Sequence, residues 1–149
     1  MSKMRFLAAA AAATLAMTAF AHTKDDDAVD YRMGLMTVVE WNFAPLSAMN
    51  KGKMPFDAVD YAKHAERVAY LSDQLVEGFP KGSDKNEHSD AKPAIWSNFA
   101  DFTDKAKTFN TEAKALAEVA KGKDEAKDRE QFKKLAAACK ACHEKYKTD

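Results

Sequence analysis

Apolar residues recur along most of the chain at steps of three and four, the period of a helix buried on one side, and no stretch alternates as a half-buried strand does. The first such segment runs from about Ala28 to Asn50. On a helical wheel Val29, Arg32, Leu35, Met36, Val39, Phe43 and Leu46 fall within about a third of the circumference, a core face that carries one arginine. Gly34, Val38, Trp41, Pro45 and Ala48 fall on the opposite side, where a solvated helix is ordinarily polar. This helix therefore has a second apolar stripe to cover. Pro45 is expected to bend it one turn from its end.

Gly52 and Pro55 mark a turn over residues 51–56. Asp57 then caps a second helix predicted to run to about Gly78, with Ala58, Tyr61, Ala65, Val68, Leu71 and Leu75 in helical register. The longest connection, Phe79 to Ala91, holds Pro80, Gly82, Ser83 and several charges, and reads as a loop within one domain. Ser89 or Asp90 is a candidate cap for a third helix with Pro93 in its first turn. From Ile95 to Ala120, the positions Ile95, Phe99, Phe102, Ala106, Phe109, Ala113, Leu116 and Ala120 alternate steps of four and three without a break, as a bundle seam does. After a turn at Gly122 and Asp124, the last helix carries Phe132, Leu135, Ala136, Cys139, Cys142, His143 and Tyr146 on one face. Four amphipathic helices with short connections and one longer loop predict an all-α, antiparallel four-helix bundle.

The last helix carries the most specific chemistry. Both cysteines lie in Cys139-Lys140-Ala141-Cys142-His143, a C-x-x-C-H motif and the pattern of covalent haem c attachment. On a helix the two thiols share a face, where they can add to the two vinyl groups of one porphyrin. The adjoining His143 then stands beneath the iron as its proximal ligand. Two other chemistries use similar residues. A redox dithiol wants its C-x-x-C at a helix N-terminus inside a βαβ pattern, and no strand pattern precedes this one. A zinc site would join Cys139, Cys142 and His143 to His64 or His88, but three ligands within five residues is not zinc-loop spacing.

Charge adds mainly exclusions. With 23 basic and 23 acidic residues in 149, the chain can bury one core and shows no basic footprint for nucleic acid. Lys3 and Arg5 precede an apolar run from Phe6 to Phe20, and Ala19-Phe20-Ala21 forms an A-x-A-type cleavage site before His22. Residues 1–21 therefore read as a secretory signal and 22–149 as the mature domain. The run is short for a membrane span, and Thr14 and Thr18 interrupt it. Export to the periplasm suits the motif. Haem c is attached on the outer side of the bacterial inner membrane, and an exported cysteine pair without haem would be open to oxidation.

On these residues the chain resembles the cytochrome c′ family, the class II c-type cytochromes. The C-K-A-C-H close to the C-terminus carries the resemblance. Tyr31-Arg32, Gly52-Lys53-Met54-Pro55-Phe56-Asp57 and Lys92-Pro93-Ala94-Ile95-Trp96 support it. The resemblance implies a four-helix bundle with one covalent haem c, its edge held by Arg32 through a propionate and by Asp90. Met33 stands at the next family contact position, Met36 faces the sixth iron position, and Phe79 matches an aromatic that closes the distal pocket. An arginine in an apolar face needs an anionic partner, and a propionate supplies one; a snorkelling or carboxylate-paired arginine is the alternative. Asp90 also reads as a helix cap. Lys147 replaces an arginine often found there, its head either approaching the proximal face or solvated.

Met36 leaves two functions open. If it stands over the iron without bonding, the protein is a five-coordinate haem carrier of electrons whose apolar pocket admits nitric oxide or carbon monoxide. If it bonds, the protein is a low-spin electron carrier. As a bare feature, a methionine in an apolar stripe is core filling. No group beside Met36 reads as an acid or base able to polarise a peroxide, so an enzyme is not expected. The redox partner is not legible. The stripe through Trp41 predicts a homodimer through the first helices, or else cover by a loop of the same chain.

Overall fold

The computed structural model describes residues 24–85 and 88–148; the expected signal segment, residues 1–21, lies outside them. Five helices follow in order: α1 Lys24–Asn50, α2 Ala58–Ser72, α3 Ala94–Ser97, α4 Phe99–Ala120 and α5 Glu125–Tyr146, with a 3-10 turn at Leu75–Gly78. α1 packs on α2, α2 on α4 and α4 on α5, while α1 also meets α5. This is the predicted four-helix bundle, with α3 a single turn before α4. Its core centres on Leu46, Met49, Tyr61, Val68, Leu116 and Leu135, all fully buried.

Local chemistry explains the ends of these elements. Asp57 accepts from the backbone N–H of Val59 and Asp60, and Asp124 from Ala126 and Lys127, so each opens its helix as an N-cap. α1 closes where Gly52, at φ 66°, takes the left-handed conformation that glycine adopts without penalty. There the N–H of Lys53 donates to the Ala48 carbonyl and that of Gly52 to Met49.

Three departures from the expected pattern matter. The second helix stops at Ser72, whose hydroxyl donates to the Ala69 carbonyl, and the chain reaches Gly78 through the 3-10 turn. The apparently continuous third helix breaks at Asn98 (φ −129°, ψ 44°), which separates α3 from α4. Seven of the eight seam residues are buried; Phe99, next to the break, is 40% exposed with its ring 5.9 Å from that of Phe102. Neither Ser89 nor Asp90 caps α3, whose cap position is Pro93.

The core face of α1 is as expected, with Val29, Arg32, Leu35, Val39 and Leu46 buried. Its second stripe stays open. Trp41 is 74% exposed and Val38 47%, so no described loop covers them.

Candidate haem site

At one end of the bundle a cleft of about 160 Å³ opens between α1 and the C-terminal turns of α5. Met33 and Met36 line it from α1, Leu75 and Phe79 from the 3-10 turn and the residue after it, Ile95 from α3 and Phe102 from the first turn of α4. Cys142, His143, Tyr146 and Lys147 line it from α5 and the residue after it. Two segments distant in sequence thus line one cleft.

Arg32 is the polar anchor of this wall. Its head is buried, so it does not snorkel. Nη1 donates to the Gly78 carbonyl and the Ser83 hydroxyl, both at 3.2 Å; Nη2 donates to the Ser83 carbonyl at 3.0 Å and the Ser89 hydroxyl at 2.6 Å. The Phe79 and Trp96 rings lie 5.2 and 5.5 Å from the guanidinium carbon. Nε has no partner, and burial pushes the guanidinium pKa down. These partners are all neutral. No described carboxylate pairs with Arg32, so a buried cation stands beside a cleft that can hold an anionic group.

Gly78 makes that arrangement possible. A Cβ on it would stand 2.8 Å from the Arg32 Cβ and 3.1 Å from the Tyr31 ring, so the turn approaches α1 closely only because this residue is glycine. Nothing in the local sequence announces it. Ser83, wholly buried with its hydroxyl also donating to the Pro80 carbonyl, is likewise recognised only from the fold.

The cysteines sit in the last turns of α5, half-buried, Cys139 against the core and Cys142 also at the cleft. Burial pushes the Cys139 thiol up to about 11 and raises Cys142 as well. This is opposite to a reactive dithiol, whose thiolate is stabilised at a helix N-terminus. His143 is the one residue of its predicted face left exposed. Desolvation at the cleft and the charge of Lys147 push its imidazole down, which favours the neutral form that binds metals. His64 is elsewhere, buried on α2 between Asn42 and Asp60, and no cluster of three His, Cys, Asp or Glu among the described residues could hold a metal ion.

Met36 is half-buried and Met33 52% exposed, both on the cleft wall, and Phe79 is buried. Asp90 also borders the cleft, with its carboxylate 3.4 Å from Lys147 Nζ. Its carbonyl accepts from the N–H and hydroxyl of Thr148 at 2.8 and 3.1 Å, while the Lys92 N–H donates to the Tyr146 carbonyl. The loop before α3 is thereby stitched to the C-terminal tail by the isolated antiparallel bridge Ala91 to Lys147. The Lys147 head stays exposed to solvent while pairing with Asp90.

Two thiols and an imidazole at one end of a helix, an apolar wall opposite and a buried cation without a counter-charge together fit a covalently held haem. The family model described as cytochrome c′ matches residues 27–147. The chain belongs to the cytochrome c′ family. A curated cytochrome c′ from Rubrivivax gelatinosus is 36% identical over 124 residues, 83% of this chain and 96% of the relative. Among solved structures, cytochrome c prime from Shewanella frigidimarina is 40% identical with a TM-score of 0.81, covering 85% of this chain and 98% of that one. A ferrous variant of cytochrome c prime from Alcaligenes xylosoxidans with bound NO is 34% identical, with a TM-score of 0.77 and the same coverage. Cytochromes c′ bind c-type haem covalently through cysteine, and Cys139 and Cys142 are the two cysteines available here. When bound, haem supplies an iron that cycles between ferric and ferrous and can take a diatomic ligand.

Proposed function

We propose that the mature chain is a periplasmic cytochrome c′ that transfers electrons and binds nitric oxide or carbon monoxide at a five-coordinate iron, His143 being the proximal ligand. The observation that carries this reading is the wall facing His143, where Met36, Leu75 and Phe79 present no hydrogen-bond donor from their side chains. Bound dioxygen would gain no distal stabilisation there, whereas ligands that bond strongly to ferrous iron do not need it. Arg32 holds one propionate with the nitrogen left unpaired, Nε, and the loop carrying Asp90 closes over the haem edge. Met36, Leu75 and Phe79 carry no acid or base, which supports a carrier or scavenger rather than an enzyme.

Met36 supplies the second reading. It lies on the same cleft as His143, and bonding through its sulfur would make the iron low-spin, raise its potential and shut out the gas. Absorption spectra of the ferric and ferrous holoprotein with and without carbon monoxide separate the two. A high-spin ferrous spectrum that changes promptly with the gas supports the open site; a low-spin spectrum in both states, indifferent to the gas, overturns it in favour of Met36.

The exposed α1 stripe supports a homodimer through the first helices. Trp41→Glu is expected to convert the dimer to a monomer in sedimentation; a wild type that sediments as a monomer at high concentration overturns the dimer. Residues 1–21 act as the export signal in this reading, and no described helix is long and apolar enough to cross a membrane.

A further inference from the structure

Tyr146 borders the cleft one helical turn beyond His143, with its ring buried edge-on against Phe102 at 5.5 Å between centroids. Its hydroxyl donates to Asp101 Oδ2 at 2.5 Å, and that carboxylate is half-open to solvent. We propose that Tyr146 and Asp101 form a proton-coupled one-electron relay that draws an oxidising equivalent out of the cleft when a peroxide reacts there and discharges it at the protein surface. The relay rests on the open iron site proposed above and goes beyond gas binding.

The geometry selects Tyr146 over its neighbours. A phenol that loses an electron becomes strongly acidic, so oxidation is far easier when a base already accepts its hydrogen bond. Asp101 is that base; its hydrogen bonds from Tyr146 and Lys145 hold its carboxyl below the usual range, so it stays ionised. Trp96 donates instead to a neutral acceptor, the Pro80 carbonyl at 2.9 Å. The Arg32 guanidinium 5.5 Å from its ring opposes the loss of an electron there. Tyr31 also donates to a carboxylate, Glu77 at 3.1 Å, but it does not line the cleft. Lys145 works against the relay, since it donates to the same Asp101 oxygen and lies 5.3 Å from the Tyr146 ring. The threshold is therefore high, and only a strong oxidant such as a peroxide crosses it.

The steps balance. Reducing a peroxide to water takes two electrons and two protons. With haem bound, one of these electrons would come from the haem, to be restored by a second molecule of a one-electron donor, and Tyr146 would give the other, while the protons for water come from solvent. In the same event the Tyr146 O–H bond breaks and its proton passes to Asp101 Oδ2, leaving a neutral phenoxyl radical beside a neutral carboxylic acid. A small one-electron donor, such as a hydroquinone, then gives an electron at the open edge of Asp101, and the acid returns its proton. Because Met36, Leu75 and Phe79 offer no acid or base to speed the peroxide step, the relay protects the covalent haem rather than turning over a substrate.

The test is electron paramagnetic resonance of ferric holoprotein freeze-quenched after mixing with hydrogen peroxide, with the iron absorbance followed in parallel. A tyrosyl signal is expected in the wild type and in Tyr31→Phe, and one at least about tenfold weaker in Tyr146→Phe, which keeps the buried ring. Asp101→Asn, an acceptor of the same shape but no base, is expected to slow its appearance by about the same factor. If peroxide changes the iron spectrum but no tyrosyl signal forms, or Tyr146→Phe keeps it, the relay is overturned and the open site stands. A ferric spectrum indifferent to peroxide overturns the relay, and the carbon monoxide spectra described above then decide whether the open site stands.

Discussion

Arg32 and Asp128 are both charged side chains almost wholly out of solvent, one at each end of the bundle, and they are housed in opposite ways. Arg32 sits in a ring of neutral oxygens from Gly78, Ser83 and Ser89, backed by two aromatic rings and facing a cleft. Asp128, in the first turns of α5, has neither carboxylate oxygen hydrogen-bonded, although its backbone carbonyl accepts from the Tyr61 hydroxyl. Burial, then the nearby Asp124 and Glu125, push its carboxyl pKa up. The cation is half-satisfied in a way that the proposed haem propionate would complete; the anion is a standing cost that the surrounding core offsets. Burial of a charge alone does not identify a functional site. What distinguishes Arg32 is an organised shell with one direction left open.

The largest expected effect breaks the Arg32 side of this contrast. Arg32→Met in the holoprotein is expected to lose about 3–5 kcal/mol in denaturant unfolding, since it leaves a propionate without its partner. A variant as stable as the wild type would mean that no anion pairs there. Asp128→Asn is expected to stabilise, by about 1–3 kcal/mol at neutral pH, because it removes a buried carboxylate with no partner. The sign follows from linkage. A raised folded pKa means that the folded state holds the proton more tightly, so the carboxylate costs nothing below the unfolded value of about 3.9. Its cost grows as pH climbs from there through the folded value. The gain from Asp128→Asn should therefore be present at pH 7 and vanish in acid; a gain that persists below that range would argue against it. Gly78→Ala is expected to cost about 1–2 kcal/mol by forcing the 3-10 turn off α1, read in the same unfolding experiment. Asp90→Asn marks the small end, at about 0–1 kcal/mol, because its partner Lys147 is half-exposed and salt screens the pair.

The two ends also differ in how much the sequence disclosed. The C-x-x-C-H motif was legible because covalent attachment needs its groups within one helical turn. Arg32 was legible as an exception to an apolar face. Its cradle was not, since Ser83 and Ser89 come from an irregular loop and Gly78 matters only through its proximity to α1. Asp128, Asn42 and His64 look on paper like ordinary polar helix positions, and only packing against a neighbouring helix buries them. The break at Asn98 escaped because Ile95, Phe99 and Phe102 keep a helical spacing across it, while the conformation of one residue shifts Phe99 outward. Asp101 and Tyr146 lie on different helices, so no local pattern joins them.

The stitch between the loop at Ala91 and the tail at Lys147 has a consequence for assembly. The loop that presents Ser89 to Arg32 is fastened by Lys147 and Thr148, so the pocket joins the first turns of α1 to the segment just after α5. Contacts of such long sequence separation form late, after the local helices and their neighbours. The far end of the bundle can close before this bridge forms, but the haem end cannot. Loss of the contacts made by Lys147 and Thr148 would therefore leave a nearly complete bundle with an unlatched mouth.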